Sequence, residues 1–510
     1  MNTNKPNILL IQADQFAAPV LGCYGNQALD APHLDSLAED GVVFESAYCN
    51  NPLCAPSRFS MMSGRQTSRI AAYDNAAEFP GDIPTFAHYL RANGYQTCLA
   101  GKMHFVGADQ LHGFEERLTT DVYPADHGWT PDWEHPEHRF DWWYHNMSSV
   151  TEAGPCERTN QIDFDDETGF RAVRKIYDLA RNDDPRPFCL TVSFTDPHDP
   201  YACPKACWDR YEPKDIPLPR VRELPQDALD PHSRRLRAAY QADSTAITEQ
   251  DIVNARRAYF GQISYIDDKI GQLLKALDDT GLRENTIIVF TADHGDMLGE
   301  RGLWYKMSLF EWSARVPLLI NAPARFRPRR IATPVSLVDL LPTFMDFSSD
   351  PRLQNPAAPL DGSSLLPLLE HGDQDESRTV IAEFLGEGAI APCFMVRQRV
   401  YKYIYSQPDP PQLYHLENDP DELDNLAGRK ESQEVQEALH AALLRHQDPV
   451  SLHEAVLASQ KRRRLVFQAH MQGRHTPWDF HPVEEASQKY MRNHLDLNVV
   501  EGKARIASKA

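Results

Sequence analysis

Residues 286–296 have the sequence TIIVFTADHGD, an apolar run that ends in a group of polar residues. Its first seven residues are apolar or β-branched, the composition of a strand buried on both faces. Asp293 and His294 follow directly, and both side chains are of types that bind metal ions. In open α/β sheets, ligand sites form beyond the carboxyl ends of the strands. The stretch therefore predicts a buried strand with a functional site at its end.

Four other runs have the same character: residues 7–13, 96–101, 187–195 and 316–321. The polar residues that follow the first three of them have groups suited to metals or anions: Asp14 and Gln15, Lys102 and His104, and His198. Strand exits of a parallel sheet meet at one edge of that sheet. We therefore expect these side chains to form a single site together with Asp293 and His294.

Helical stretches separate these runs, the clearest being residues 251–279, where apolar side chains recur at helical spacing before Gly281. The alternation predicts an α/β fold, with a large domain over residues 1–373 and a central mixed, mostly parallel sheet flanked by helices. Strand patterns resume after residue 374 and predict a smaller C-terminal α+β subdomain over residues 374–450. Residues 451–510 are mostly polar and predict an extended C-terminal tail that lies on another surface.

Composition narrows the range of partners. Lys plus Arg number 52 against 73 Asp plus Glu, a formal net charge of −21, which argues against general nucleic-acid binding. A small anionic substrate remains compatible, because a local cationic cluster overrides the global field. No apolar run approaches the roughly 18 residues of a membrane span. We expect a cytoplasmic enzyme with no membrane partner, whose nine scattered cysteines are reduced.

The most informative short motif is CAPSR at residues 54–58, followed by Ser63-Gly64-Arg65. Pro56 suits the first turn of a helix, which would place Cys54 at the positive end of the helix dipole. On that reasoning alone Cys54 is an activated thiolate. A buried structural cysteine is the alternative interpretation.

The pentad matches the Cys-x-Pro-Ser-Arg signature of the sulfatase family, in the alkaline-phosphatase-like superfamily, which this sequence resembles. The resemblance implies that a formylglycine-generating enzyme oxidises Cys54 to formylglycine, whose hydrate attacks sulfur or phosphorus. It also implies one divalent cation held by five residues: Asp14, Gln15, Cys54, Asp293 and His294. Gln15 stands where the family has a second acid, and Ser63 where it more often has Thr. An oxygen-rich set favours Ca²⁺, with Mn²⁺ or Mg²⁺ as alternatives.

The same resemblance assigns further catalytic roles. Arg58 would hold the formylglycine hydrate, and Lys102-Met103-His104 matches the family's Gly-Lys-x-His element. His198 resembles the histidine that faces the leaving group, and Lys306 would stabilise the transferring group. Each residue alone would be an ordinary surface residue. Their positions after separate strands favour a common pocket.

Four segments resemble the choline-sulfatases in particular: residues 73–79, 110–117, 141–146 and 490–496. The resemblance implies hydrolysis of choline-O-sulfate to choline and sulfate. A quaternary ammonium binds to aromatic faces with carboxylates nearby. The residues that would supply this environment and contact the ester are Trp129, His145, Asn146 and an acid such as Glu383. The resemblance also implies a homo-oligomer, a dimer or tetramer, in which the tail brings Asp496 to a neighbouring subunit's pocket.

Other interpretations remain open at this stage. Trp129, Trp142 and Trp143 are alternatively packing residues. A phosphonate monoester or phosphodiester hydrolase, or an arylsulfatase, would use the same nucleophile and metal, although Trp129 and the tail favour a cationic substrate. A non-catalytic member that binds an anion or scaffolds an assembly is a further alternative. The presence of every predicted catalytic residue argues against it.

Overall fold

The computed structural model describes residues 5–136, 145–372, 375, 377–483, 489–492 and 495–506. Its strands are β1 Asn7–Ala13, β2 Val42–Phe44, β3 Ala47–Tyr48, β4 Gln96–Gly101, β5 Glu116–Arg117, β6 Gly154–Cys156, β7 Phe188–Ser193, β8 Ala202–Pro204, β9 Thr286–Ala292, β10 Arg315–Val316, β11 Leu318–Asn321, β12 Arg329–Ile331, β13 Val335–Ser336, β14 Thr379–Phe384, β15 Cys393–Gln398, β16 Tyr401–Ser406 and β17 Gln412–His415. Its α-helices are α1 Pro32–Glu39, α2 Cys54–Ser63, α3 Phe86–Ala92, α4 Ser148–Thr151, α5 Asn160–Arg181, α6 Lys205–Trp208, α7 Pro231–Ala239, α8 Glu249–Thr280, α9 Glu311–Ala314, α10 Leu340–Phe347, α11 Leu366–His371, α12 Gln433–His446, α13 Pro449–His470 and α14 Leu497–Ala504.

The large sheet has eight strands in the order β12-β2-β11-β9-β1-β7-β4-β5. Strands β9, β1, β7 and β4 run parallel to one another, whereas β11 runs antiparallel to both β9 and β2. Every residue of β1 and β9 is buried, as expected for parallel strands with both faces covered. The prediction of a mixed, mostly parallel central sheet is confirmed. The predicted ranges of β1, β4 and β9 match residue for residue, while β7 and β11 are shorter than predicted.

Helix α8 supports the edge of the sheet where the strands end. Its first turn is capped by Thr248, whose backbone N–H donates to the Asp251 carboxylate at 2.8 Å, and Gly281 ends it with φ +75°. The helix packs against α5 and α1. Within it, Gln262 Nε2 donates to the carbonyl of His198 at 3.1 Å. The helix thereby fixes the loop that follows β7.

A second, antiparallel sheet follows the large domain, with strands β14 to β17 adjacent in sequence order. Helix α12 packs on β15 and β16, which confirms a smaller C-terminal α+β subdomain. The backbone N–H of Glu383 in β14 donates to the carbonyl of Asn50 at 2.8 Å and joins the two units. The boundaries at residues 373 and 450 stay predictions.

Residues 451–470 of the predicted tail belong to helix α13, whereas two later residues of the tail contact α5. Arg174 Nη1 donates to Tyr490 Oη at 3.0 Å, and Arg181 Nε donates to the carbonyl of Ala504 at 2.9 Å. No helix among the described residues is long and apolar enough to cross a lipid bilayer.

Candidate metal centre and catalytic pocket

Helix α2 brings Cys54 to the carboxyl edge of the large sheet. All ten of its residues are buried, and the backbone N–H of Ala55 donates to Asn75 Oδ1 at 2.9 Å. Ser57 Oγ donates to the carbonyl of Asp293 at 2.5 Å. The hydroxyl thus joins the first turn of the helix to the end of β9, and Cys54 is held beside Asp293.

Arg58, one helical turn after Cys54, ties together the ends of four strands. Its Nη2 donates to Asp14 Oδ2 at 2.8 Å and its Nε to Asp293 Oδ2 at 2.8 Å. Its Nη1 donates to the carbonyl of Lys102 at 2.6 Å and to Ser193 Oγ at 2.7 Å. The guanidinium is fully buried, so these ion pairs act in a low dielectric with little competition from water.

Four donor groups, from Asp14, Cys54, Asp293 and His294, lie within 4.8 Å of one another, and all are buried. Cys54 Sγ is 3.3 Å from His294 Nε2 and 3.8 Å from Asp14 Oδ1. His294 Nδ1 lies 3.0 Å from the carbonyl of Gly295. A carbonyl can only accept, so the proton is on Nδ1 and the lone pair of Nε2 faces the cluster. Four of the five predicted metal ligands therefore lie together.

The two carboxylates are oriented in a way that fits a divalent cation. Both turn Oδ2 toward Arg58, and both have Oδ1 near His294 Nε2, at 3.8 Å for Asp14 and 3.7 Å for Asp293. Burial works against ionisation of Asp14, but the attraction of Lys102 and other cations holds the pKa of Asp14 well below its ordinary value. Two carboxylates and one imidazole suit Ca²⁺, Mn²⁺ or Mg²⁺.

Gln15, the fifth predicted ligand, lies between charges of opposite sign. Its Oε1 accepts from Lys306 Nζ at 2.6 Å, while its Nε2 donates to Asp199 Oδ1 at 3.2 Å and Asp296 Oδ2 at 2.6 Å. A carboxylate at position 15 would face two other carboxylates, and the amide avoids that repulsion. The structure thus gives a reason for the departure from the family pattern. The role of Gln15 in metal binding stays a prediction.

Lys102 and His104 form one wall of the pocket just after β4. Lys102 Nζ lies 2.5 Å from Asp14 Oδ2. His104 has φ +59°, and its backbone N–H donates to Asp121 Oδ2 at 2.9 Å. Both ring nitrogens of His104 are buried and have no hydrogen-bond partner in the part of the chain that the structure describes. Burial and the nearby Lys102 lower the pKa of His104 to about 3, so its ring is neutral.

Two aromatic rings lie beside this wall. Trp129 stands edge-on to His104 at a centroid distance of 5.7 Å and to Tyr123 at 5.1 Å. The Tyr123 ring is 4.3 Å from Lys102 Nζ and 6.1 Å from the His198 ring. The structure therefore places Trp129 beside His104, one of the predicted catalytic residues. Tyr123 was not predicted, because a single tyrosine in a loop gives no sequence signal.

His198 and Lys306 form the opposite side of the pocket. His198 Nδ1 is 2.6 Å from the carbonyl of Asp199, which places its proton on Nδ1, and its Nε2 is 2.7 Å from Lys306 Nζ. Burial and the adjacent Lys306 lower the pKa of His198 well below its ordinary value. Burial also works against charge on Lys306, but the carboxylates of Asp199 and Asp14 raise the pKa of Lys306 above its ordinary value. The transferable proton on this side is on the lysine.

His145 and Asn146 adjoin the same side. The His145 ring is 5.5 Å from the His198 ring and 4.9 Å from the Tyr305 ring, and its Nδ1 lies 3.2 Å from the Asp199 carboxylate. The side chain of Asn146 is half-buried. Residues 141–144, including Trp142 and Trp143, lie outside the described residues, so the interpretation of these tryptophans as packing residues stays open.

A family model described as sulfatase matches residues 6–349. The chain belongs to the sulfatase family. Two other models match parts of this sulfatase: the choline sulfatase enzyme C terminal over residues 454–506, and the N-sulphoglucosamine sulphohydrolase C-terminal over residues 299–449. The predicted family, with its alkaline-phosphatase-like fold, is confirmed, and the sulfatase is a sulfuric-ester hydrolase.

Individual relatives agree with this assignment. A choline-sulfatase of Rhizobium meliloti (strain 1021) is 47% identical to this sulfatase over 507 residues, 98% of each chain. Arylsulfatase K of Gallus gallus is 32% identical, over 84% of this sulfatase and 80% of that protein. The crystal structure of a phosphonate monoester hydrolase of Agrobacterium radiobacter has a TM-score of 0.67 and 25% identity, over 89% of this sulfatase and 96% of that chain.

The acid predicted for the cation pocket is engaged elsewhere in this sulfatase. The Glu383 carboxylate is fully buried and accepts from Ser68 N at 2.8 Å, from Ser68 Oγ at 2.7 Å and from His446 Nε2 at 3.0 Å. A different acid, Glu387, has Oε2 buried and without a hydrogen-bond partner among the described residues. Burial and the nearby Asp74 raise the pKa of Glu387 to about 7, while Lys306 lowers it. The assignment of Glu383 stays a prediction, and Glu387 is a second candidate for the same role.

Asp496 lies at the start of α14, where it caps the helix. Its Oδ1 accepts from the backbone N–H of Asn498 at 2.9 Å and of Val499 at 3.2 Å, and its side chain is exposed. Its predicted contact with a neighbouring subunit stays a prediction.

The unmodified thiol of Cys54 is not activated in this sulfatase. Burial and the nearby Asp14 raise the pKa of Cys54 to about 12, although Cys54 begins α2. The dipole of a helix end contributes only about 0.3–1 kcal/mol, which the loss of hydration outweighs. The prediction of an activated thiolate from the helix end alone is wrong.

Proposed function

We propose that this sulfatase hydrolyses choline-O-sulfate to choline and sulfate, with formylglycine at position 54 and one divalent cation. The proposal depends above all on the position of Cys54, which begins a buried helix within the donor cluster of Asp14, Asp293 and His294. The high identity to the choline-sulfatase of Rhizobium meliloti supports the choice of substrate. An aromatic ring, Trp129, lies at the same pocket, where a quaternary ammonium would need one.

The cation would be held by Asp14, Asp293, His294 and the side chain at position 54, with Gln15 as a further oxygen donor. We favour Ca²⁺ over Mn²⁺ or Mg²⁺ because the set is rich in oxygen donors. When bound, the cation would stabilise negative charge on the sulfate oxygens.

Formylglycine, which a formylglycine-generating enzyme would make from Cys54, supplies a hydrated aldehyde. One hydroxyl attacks sulfur as the ester bond to choline breaks, and loss of a proton from the second hydroxyl restores the aldehyde as sulfate leaves. The neutral ring of His104, with unpartnered nitrogens, would accept that proton. Arg58 keeps both carboxylates in place, and Lys102 adds positive charge for the sulfate oxygens.

Departure of choline requires a proton, because an alkoxide is a poor leaving group. Lys306 is the charged group on this side, and its ammonium lies 2.7 Å from the lone pair of His198 Nε2. We assign Lys306 as the source of the proton and His198 as the group that orients or relays it. Asp199 holds His198 and His145 in place through its carbonyl and its carboxylate respectively.

The trimethylammonium group would bind between Trp129, His145 and Glu387, with Asn146 near the ester. A quaternary ammonium donates no hydrogen bonds, so aromatic faces and a carboxylate are the groups that can recognise it. Glu387 fits this role better than Glu383, because its Oε2 has no hydrogen-bond partner within the described ranges.

The competing substrates are a phosphonate monoester or phosphodiester and an aryl sulfate, the substrates that the names of two relatives indicate for those proteins. We expect fully modified, metal-replete enzyme to have its highest kcat/KM with choline sulfate, followed by 4-nitrophenyl sulfate and phenyl phosphonate. A preference for either of the others would reject choline sulfate as the substrate. No turnover of any of them would favour a non-catalytic anion-binding protein.

Mass spectrometry tests the nucleophile separately. Formylglycine differs from cysteine by the loss of sulfur and two hydrogens and the gain of one oxygen. Active enzyme isolated from its native source with an intact thiol at position 54 would contradict the proposed modification.

The C-terminal tail is proposed to join subunits into a dimer or tetramer and to bring Asp496 to a neighbouring pocket. Three apolar side chains of the tail support this, since Leu495, Leu497 and Val499 are 64%, 51% and 50% exposed in the single chain. Deletion of residues 485–510 should weaken subunit assembly, measured as a lower sedimentation coefficient, or the selectivity for choline sulfate. An unchanged oligomeric state with unchanged kinetics would reject a role of the tail in assembly and in substrate binding.

We also propose that this sulfatase is located in the cytoplasm. All nine cysteines are unpaired, which supports a reducing compartment. Fractionation of source cells would test it.

A further inference from the structure

The loop that carries Trp129 is held from its outer side by α13. Gln460, which is 1% exposed, accepts the backbone N–H of Trp133 on Oε1 at 3.1 Å. Arg464 Nη1 lies 2.6 Å from Asp132 Oδ1. Two successive turns of the helix therefore contact residues three and four positions after Trp129. The loop is fixed to a helix that lies more than 300 residues later in the sequence.

Arg463 of the same helix reaches further toward the nucleophile. Its Nη1 and Nη2 donate to the two carboxylate oxygens of Asp74, each at 2.6 Å, and Nη1 also lies 3.3 Å from Thr130 Oγ1. Asp74 directly precedes Asn75, whose side chain accepts the backbone N–H of Ala55. One guanidinium thus connects the residue after Trp129 to the segment that caps α2, next to Cys54.

We propose that Arg463, supported by Gln460 and Arg464, is a positioning residue for substrate recognition: it sets the place of Trp129 relative to Cys54. The inference rests on the proposed function, in which Trp129 contacts the substrate. The pair of Arg463 with Asp74 is buried and two-pronged, a geometry that a lysine cannot reproduce. The neighbouring Arg462 is exposed and offers a matched control.

The first test is Arg463→Lys, which keeps a positive charge beside Asp74 but removes one of the two hydrogen bonds to its carboxylate. We expect KM for choline sulfate to rise about tenfold, the effect of one charge-assisted hydrogen bond, with kcat nearly unchanged. Kinetics with 4-nitrophenyl sulfate should change less than about twofold, because that ester has no cationic group to place against Trp129. Arg462→Lys should leave kcat and KM unchanged for both esters. Wild-type kinetics for Arg463→Lys, or equal losses on both esters, would overturn the proposal.

A double-mutant cycle with Trp129→Ala tests whether Arg463 affects substrate binding through Trp129. If Arg463 acts through Trp129, Arg463→Lys lowers kcat/KM in the wild-type background and changes little in the Trp129→Ala background. Equal losses in both backgrounds would overturn the inference. This result does not depend on which ester is preferred, so failure of the proposed function appears separately, as a wild-type preference for another ester.

A second variant covers the case in which Arg463→Lys fails to fold, as judged by its melting temperature. Gln460→Met removes the acceptor for Trp133 without touching the buried ion pair. We expect the same pattern, a higher KM for choline sulfate and no effect in the Trp129→Ala background. A folded Gln460→Met protein with wild-type KM, together with an unfolded Arg463→Lys protein, would show that α13 serves stability alone and would overturn the proposal.

Discussion

The nucleophile end and the recognition end of the pocket are built in different ways. At the nucleophile end, Asp14, Arg58 and Lys102 lie on or just after buried elements, and their ion pairs measure 2.5–2.8 Å with no exposed side-chain surface. At the recognition end, Trp129 and His145 lie on loops. These loops are held by α13 and by hydrogen bonds to side chains of other loops. One end is part of the core, whereas the other is assembled from distant segments.

If the proposed roles hold, this difference in construction separates the residues of the chemical step from those that recognise the substrate. A change to one partner of the buried ion pairs would leave an uncompensated buried charge, which costs about 3–5 kcal/mol. A change in the loops costs less and alters which ester fits. The sulfatase model covers the strands of the large sheet together with Trp129 and His145, while the choline-sulfatase C-terminal model begins within α13, which holds the Trp129 loop. Mutations at the two ends should therefore give different kinetic signatures.

The largest effect is expected at the nucleophile end. Cys54→Ala should lower kcat/KM by about 10⁴-fold or more with choline sulfate, 4-nitrophenyl sulfate and phenyl phosphonate alike, because all three would share one nucleophile. Steady-state kinetics on metal-replete protein measure this. Cys23→Ala, at a half-buried cysteine outside the donor cluster, is the control and should retain activity. Residual activity of Cys54→Ala within tenfold of wild type on any ester would contradict a nucleophile at position 54 that all three esters share.

The next effect belongs to the leaving-group side, between the two ends. Lys306→Met should lower kcat for choline sulfate by about 10²–10⁴-fold, because the alkoxide cannot leave without a proton. The loss with 4-nitrophenyl sulfate should be smaller, since a nitrophenolate leaves without one. A series of sulfate esters with leaving groups of increasing pKa measures the trend. Lys461→Met, an exposed position, should have no effect. A loss independent of the leaving group would reassign Lys306 to binding of the sulfate group.

At the recognition end the expected effect is moderate and confined to KM. Trp129→Ala should raise KM for choline sulfate by about 2–30-fold, the range of a cation–π contact. The matched substrate is 3,3-dimethylbutyl sulfate, in which carbon replaces the quaternary nitrogen, and its KM should rise less. Trp129→Phe should recover part of the loss. Equal increases for the charged and uncharged esters would show that Trp129 contributes shape alone.

Much of the nucleophile end was predictable from the sequence, for a physical reason. The strands of the large sheet are buried on both faces, so β1, β4 and β9 appear as continuous apolar runs with clear ends. The residue after each run is then at the carboxyl edge, and topology brings those edges together. Asp14, Lys102 and Asp293 were found in this way. The prediction that they share one site did not require them to be close in sequence.

The recognition end was less predictable because its residues lie on irregular backbone. Glu383 and Glu387 flank the end of β14, and no periodicity distinguishes them once the chain leaves the strand and Gly388 adopts φ +80°. Tyr123 is one aromatic residue in a loop. The raised pKa of the Cys54 thiol could not be predicted from the helix end for a related reason, because burial is a tertiary property that a local helix argument cannot include.

The smallest expected effect concerns Glu387. This residue is proposed for the recognition end and also interacts electrostatically with Lys306 on the leaving-group side. Burial raises the pKa of Glu387 to about 7 from an ordinary 4.5, so the folded protein binds the extra proton between these values. The contribution of this group to stability therefore falls as the pH rises through that window. Its charged form exists mainly above the upper value, and that form attracts a quaternary ammonium.

We therefore expect KM for choline sulfate to rise about two- to fivefold as the pH falls from above to below the pKa of Glu387, because the carboxylate proposed to attract the cation is then neutral. Glu387→Gln should remove this dependence and hold KM at its low-pH value. The same variant should gain stability at high pH, because it no longer buries a charge. KM and the melting temperature measured over the same pH range would show both changes. An unaltered pH dependence in Glu387→Gln would mean that the cation is recognised by the aromatic faces without this carboxylate.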